Sequence, residues 1–283
     1  MSPPPAMPNP ETWIAGAEAP VRLVAFLAVF VVMALWEVVA ARRELAAAKG
    51  RRWLANLGLV AVDAVALRLL FPAAAVGAAL GARELGLGLF NNIAAPYWLA
   101  VVATVVALDF AIYLQHVMFH AIPALWRLHR VHHADVDIDV TTGIRFHPIE
   151  VIVSMLIKFA AIALLGPPLL GVAIFEVVLS ALAMFNHANV RIPLPVDRVL
   201  RLVVVTPDMH RVHHSIDKAE HSTNFGFNLS LWDRLLGTYV AQPAAGHDRM
   251  TIGLPEFRDP AWISLPRLLR MPFTGRGGRR TTP

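Results

Sequence analysis

An apolar, helix-forming run that opens at Pro96 continues without a break into His116-Val117-Met118-Phe119-His120, so a segment long enough to cross a bilayer ends in two imidazoles one turn apart. Residues at i and i+4 share a helix face, and His116 and His120 can therefore aim at one point. After His120 comes His129-Arg130-Val131-His132-His133, whose i, i+3 and i+4 spacing does the same, and the pattern returns as His210-Arg211-Val212-His213-His214. Of the 12 histidines none precedes His116, and only His247 follows His221, a concentration that isolated structural histidines would not produce. Neutral imidazole is a ligand for iron, zinc, copper and nickel. The three clusters offer eight histidines, more than the roughly four to six positions of one such ion, which points to two metals.

Hydrophobic residues make up 57% of the 283, above the roughly 45–50% of soluble domains, so the chain reads as an integral membrane protein. Its basic residues gather at 42–52, at 191–211 and near the C-terminus, positions that suit the cytoplasmic membrane surface better than nucleic acid. The absence of cysteine excludes disulfides, thiolate ligands and cysteine nucleophiles. The predicted fold is an all-α integral membrane protein with about four to five membrane-embedded helices and a cytoplasmic-face helical cap carrying the histidines.

In chain order, residues 1–20 hold Pro3, Pro4, Pro5, Pro8, Pro10 and Pro20 and predict an irregular tail. Membrane helices are expected within 21–95: Val21 to Ala40, then a basic loop with Arg42, Arg43, Lys49, Arg51 and Arg52, then Leu54 to about Val76, which carries Asp63 and Arg68. Gly77 to Asn92 reads as a turn or interfacial segment. The histidine-bearing region is 96–240. Within it Val151–Leu165 and Leu169–Phe185, split by Gly166-Pro167-Pro168, predict a hairpin short enough to be re-entrant, with His187 just past its second arm. Residues 241–283, including Arg276, Arg279 and Arg280, read as a peripheral tail. If the 42–52 loop is cytoplasmic, counting the spans brings His116 and His187 to that same face.

Metal-bound imidazoles usually donate their other N–H to a carboxylate, and Asp109, Asp135, Asp208 and Asp233 are the candidates nearest in sequence. Asp109, Ile112 and Tyr113, on the His116 side of the third span, are expected to line a substrate passage, with Met184 and Phe185 opposite. A metal-cation transporter is the alternative reading, but transporter ligands sit near the bilayer midplane, whereas these lie at helix ends. A zinc hydrolase lacks support because HVMFH has no glutamate where HExxH supplies a general base.

With HVMFH, HRVHH, RFHPIE, NHANV, the second HRVHH and TNFGFNLSLWDRLLGTY, roughly residues 97–240 resemble the fatty acid hydroxylase superfamily, which includes sterol desaturases and alkylglycerol monooxygenase. The resemblance implies a catalytic domain over 96–240 with a histidine-bound di-iron centre on the cytoplasmic face, and O₂-dependent hydroxylation or desaturation of a lipid C–H bond. It implies as ligands His116, His120, His129, His132, His133, His210, His213 and His214, with His187 as a further one and His147, in RFHPIE, as an additional candidate. His221 stands apart as a solvated or substrate-side residue. Arg191 occupies a place where some relatives carry another histidine. No cytochrome b5-like HPGG occurs, so electrons are expected from a separate ferredoxin, cytochrome or reductase.

Overall fold

Each long apolar run is helical, and no strand forms among residues 10–275, the part of the chain that the computed structural model describes. The helices are α1 (Pro10–Val39), α2 (Lys49–Leu70), α3 (Ala74–Glu84), α4 (Leu89–Asn92), α5 (Tyr97–Ala121), α6 (Pro123–His133), α7 (Pro148–Leu165), α8 (Leu169–His187), α9 (Leu194–Leu200), α10 (Pro207–His213), α11 (Lys218–His221), α12 (Leu231–Leu235) and α13 (Leu265–Arg270). Among the described residues, five stretches have the length and apolar composition to cross a membrane: Gly16–Val39, Lys49–Asn92, Tyr97–Ala121, Pro148–Leu165 and Leu169–His187. Their outward faces carry large apolar side chains, Val38 and Val39 being 76% and 85% exposed, a surface suited to lipid and not to water.

Helix α8 is the centre of the bundle, with α1, α3 and α5 packed around it and α10 against its histidine end. Gly166, at φ 56, takes the left-handed conformation that closes α7 and turns the chain into Pro167-Pro168. With Pro148 and His187 included, α7 and α8 are 18 and 19 residues long, about 27–29 Å at 1.5 Å per residue, so the hairpin has nearly the full depth of a hydrocarbon core. Four ionisable side chains inside the bundle pair with one another: Arg22 reaches Glu18 at 2.6 Å and Glu176 at 3.3 Å, and Lys158 reaches Glu176 at 2.5 Å.

Two expectations are corrected here. The region from Pro10 to Pro20, expected to be irregular, is the first part of α1: Pro10 starts the helix where a missing N–H costs nothing, and Ile14 is buried against α3, α5 and α8. Gly77 and Gly81 do not mark a turn but lie within α3, whose alanines Ala75, Ala79 and Ala82 are buried against the hairpin. Residues 1–9 of the expected tail, and Arg276, Arg279 and Arg280, lie outside the described residues.

The loop after α1 packs on the histidine side of the molecule. Arg42 N–H donates to the Asn189 carbonyl at 2.9 Å and Arg191 N–H to that of Ala40 at 2.8 Å. Arg52 is completely buried, gripping both oxygens of Asp135 at 2.7 and 2.8 Å and Asp139 at 2.6 Å. Removing one partner of such a buried pair strands a charge at a cost of about 3–5 kcal/mol. Basic loop and histidine helices therefore share one face of the molecule.

Candidate metal centre

The chain folds back between α5 and α6 because Pro123 cannot continue α5 and instead opens α6, with Ile122 extended between them. This turn brings His129 Nε2 to 3.1 Å from His116 Nε2. Helix α8 ends at His187, and α10, capped by the Thr206 hydroxyl, supplies His210 and His213 and then His214. Two groups result: His116, His120, His129, His133 and His213 in the first, and His132, His187, His210 and His214 in the second, the nitrogens within each lying within 4.8 Å of one another. All these histidines are buried except His120, which is half-buried.

Hydrogen bonds on the far side of the rings fix which nitrogen faces inward. The Nδ1–H groups of His116, His187 and His213 donate to the carbonyls of Phe225, Ala183 and Thr223 at 2.8, 2.7 and 2.7 Å, and that of His132 donates to the Arg145 carbonyl at 3.3 Å. His129 Nδ1 donates to Glu150 Oε1 at 2.6 Å. In a neutral imidazole the other nitrogen is then a bare lone pair. Such lone pairs meet at 3.1 Å between His116 and His129 and again at 3.1 Å between His132 and His187. They repel one another unless a cation lies between them, and nitrogens bound to one ion at about 2.1 Å and a right angle apart would be about 3 Å from each other. The Nε2 atoms of His120, His133, His213 and His214 are buried with no partner among the described residues. Burial holds His129 down at about 3 and pushes His132, His133, His210, His213 and His214 well below their ordinary 6.5, so these rings are neutral at physiological pH, the form that can ligate a metal.

None of the four aspartates expected to support the imidazoles hydrogen-bonds to one among the described residues. Asp109 instead accepts from the Trp232 indole at 2.8 Å and from Leu229 N–H at 3.2 Å. Asp135 is saturated by Arg52 and by the Thr142 hydroxyl, and although burial pushes its carboxyl up, Arg52 and Arg145 hold it well below the usual range. Asp208 pairs with Arg42 and Arg211. Asp233 acts one step removed: it accepts from Phe225 N–H at 2.7 Å and Gly226 N–H at 2.8 Å, and the Phe225 carbonyl then receives His116. Burial pushes the Asp233 carboxyl up to about 6 despite these donors.

His147 belongs to neither group. Its Nδ1 accepts from Ile149 N–H at 3.2 Å as the cap of α7, and its Nε2–H donates to the Leu269 carbonyl at 3.2 Å, so both nitrogens are engaged. His221 is also outside both groups, stacked on Trp126 with ring centroids 5.4 Å apart and 6.1 Å from the ring of His120. The residues expected to line a passage are packed: Ile112 lies in a cluster with Ile162, Val172 and Phe175, whereas Met184, with Phe185 beside it, lies in another with Met33, Val140 and Val190. Ile112 and Met184 thus fall in different packed clusters, and Tyr113 is tied by its hydroxyl to Thr238 at 2.9 Å.

Sequence reasoning passed over Glu150, although it stands in the quoted RFHPIE and is a lone carboxylate in the first turn of an apolar helix. It also passed over Gly143. A Cβ there would sit 2.4 Å from the Ala183 carbonyl and 3.2 Å from His187 Nδ1, so only glycine lets the Thr142–Ile144 turn lie against the end of α8.

Fold and site together define a helical membrane protein with two adjoining histidine groups at one end of its bundle. Residues 101–238 match the model of the fatty acid hydroxylase family. It is 35% identical over 149 residues to ornithine lipid hydroxylase OlsE of Rhizobium tropici, covering 52% of this chain and 44% of that protein. It is 29% identical over 137 residues to alkylglycerol monooxygenase of Homo sapiens and 28% over 147 residues to that of Xenopus tropicalis, covering 29% and 31% of those proteins. The matched segment thus spans less than half of each relative. No solved structure matches the chain.

Proposed function

We propose that this chain is a lipid hydroxylase whose two histidine groups each hold an iron ion, and that it inserts oxygen from O₂ into a C–H bond of a membrane lipid. The observation that carries the reading is the set of bare imidazole nitrogens facing one another at 3.0–3.1 Å, an arrangement that fits bound cations. Bound iron would supply the redox chemistry, as it does in metal-dependent oxygenases generally.

The chain's own residues hold, orient and dry the site. Glu150 and the four carbonyls fix the tautomers of their histidines and raise ligand basicity. Phe146 lies flat on His132 with ring centroids 4.6 Å apart, and Phe225 and Phe227 stand beside the other rings, which keeps water away from the reacting volume. The names of the relatives favour hydroxylation over desaturation, and their substrates favour an amphiphilic lipid. Electrons come from a separate ferredoxin, cytochrome or reductase. With the basic loop after α1 on the cytoplasmic side, the metal centre faces the cytoplasm too.

The test is iron content and turnover of the purified protein in lipid nanodiscs. About two iron per chain, reductant-dependent O₂ uptake and a lipid product heavier by one oxygen are expected. Tightly bound zinc, with no activity after iron reconstitution, sinks the proposal.

A further inference from the structure

Two short segments of the cap expose more large apolar side chains than a water-facing surface tolerates. In α9 and the residues after it these are Leu194, Val199, Leu202 and Val203, and in α12 they are Leu231 and Leu235, each residue being 41–66% exposed. Neither segment belongs to a candidate span. They form one surface, because Ser230 N–H donates to the Val203 carbonyl at 3.0 Å, Val204 bridges to Leu229, and Arg234 donates to the Arg201 carbonyl at 2.9 Å.

Contacts with α5 set the depth of this surface. Trp232 donates to Asp109 and packs on Phe110 with ring centroids 4.7 Å apart. Asp109 precedes His116 by seven residues, so α12 docks about 10 Å further into the bundle than the metal ligand, at 1.5 Å per residue. On the same helix Val102 and Val106 are exposed, so the apolar belt of the spans runs on toward α12. Arg198 and Arg234 beside the apolar residues are exposed, while Asp197 and Asp233 are buried, Asp197 being paired with Arg201; Arg191, also exposed, has exposed Asp248 near it.

We propose that residues 194–203 and 231–236 form a membrane wedge, seated in the leaflet next to the metal centre, whose apolar face enters the acyl region and whose arginines meet anionic lipid headgroups. An apolar face with a cationic rim is the chemistry of interfacial membrane segments, which sink about 5–10 Å into the headgroup and acyl boundary. The wedge is wired to the site: Asp233 of α12 holds Phe225, whose carbonyl holds His116.

The experiment needs no bound metal, and the chain's lack of cysteine gives it a clean background. Full-length Leu202→Cys, Leu235→Cys and, as the control on the cap, Lys218→Cys are spin-labelled in nanodiscs of phosphatidylcholine with phosphatidylglycerol. Collision with O₂, which concentrates in hydrocarbon, is compared with collision with a water-soluble nickel chelate. The ratio of O₂ to nickel collisions should be at least about fivefold higher at 202 and 235 than at 218, as for an embedded segment. Adding Arg198→Glu and Arg234→Glu should lower the ratio at 235 in the anionic nanodiscs and leave it unchanged in pure phosphatidylcholine. Equal nickel access at 235 and 218 overturns the proposal. So does shielding from both reagents with spin–spin broadening between labels, which would mean that a second copy of the chain covers the surface.

Discussion

The two histidine groups share α6 and α10, the first adding α5 and the second α8, and they differ in how they are closed. The group of His132, His187, His210 and His214 is buried throughout. The group of His116, His120, His129, His133 and His213 has half-buried His120 at its edge, beside the stacked pair of Trp126 and His221. They also differ in support, since Glu150 touches His129 of the first group, while His132 and His187 of the second lean on backbone carbonyls. On the proposed reading, the contrast assigns a closed position to one ion and, to the other, a more open one beside which small molecules can approach.

The largest effect expected from this contrast comes from replacing a ligand in the closed group. His214→Ala should lower iron content by at least one per chain and cut turnover to below about a hundredth, whereas His120→Ala, in the open group, should leave the second ion in place. Iron analysis of the two variants side by side checks this, and loss of both ions in His120→Ala would erase the distinction. A smaller effect is expected from Glu150→Gln, which keeps the shape but replaces the carboxyl group beside His129 with an amide. Metal affinity of the open group should weaken by about 10–100-fold with the closed group unchanged, read by titrating iron into metal-free protein. The smallest concerns His147, which belongs to neither group. His147→Ala should cost about 1 kcal/mol of stability as a lost helix cap, seen as a lower unfolding temperature, and leave iron content untouched.

The parts of this molecule legible in the sequence are those with a period or a motif. Apolar runs at helical length gave the spans, and HxxxH and the two HxxHH elements gave the rings that converge. The unread parts depend on which backbone meets which side chain. Asp109 is placed on the right helix for an imidazole partner, yet packing gives it to Trp232. Glu150 and His147 are three residues apart with opposite fates, because the N-cap geometry of α7 occupies His147 and the next turn carries Glu150 to His129. Acceptance of imidazole N–H by carbonyls leaves no trace in side-chain identity, so the supports at Phe225, Arg145, Ala183 and Thr223 were invisible before the fold was known. Pro10 and Pro20 misled in the other direction, since burial of Ile14 and the ion pairs of Glu18 and Arg22 outweigh the local breaker signal.

The two HxxHH elements are shared between the groups reciprocally. The first gives His129 and His133 to one group and His132 to the other, and the second gives His213 to one and His210 and His214 to the other. Neither group is therefore complete within the first two-thirds of the chain. As the protein emerges from the ribosome, the early membrane helices must hold their imidazoles open until residue 214 has been made, and both sites then gain their last ligands almost together. Metals bound as proposed would act as a clasp between the early and late parts of the chain, and metal supply would become a checkpoint on finishing the fold.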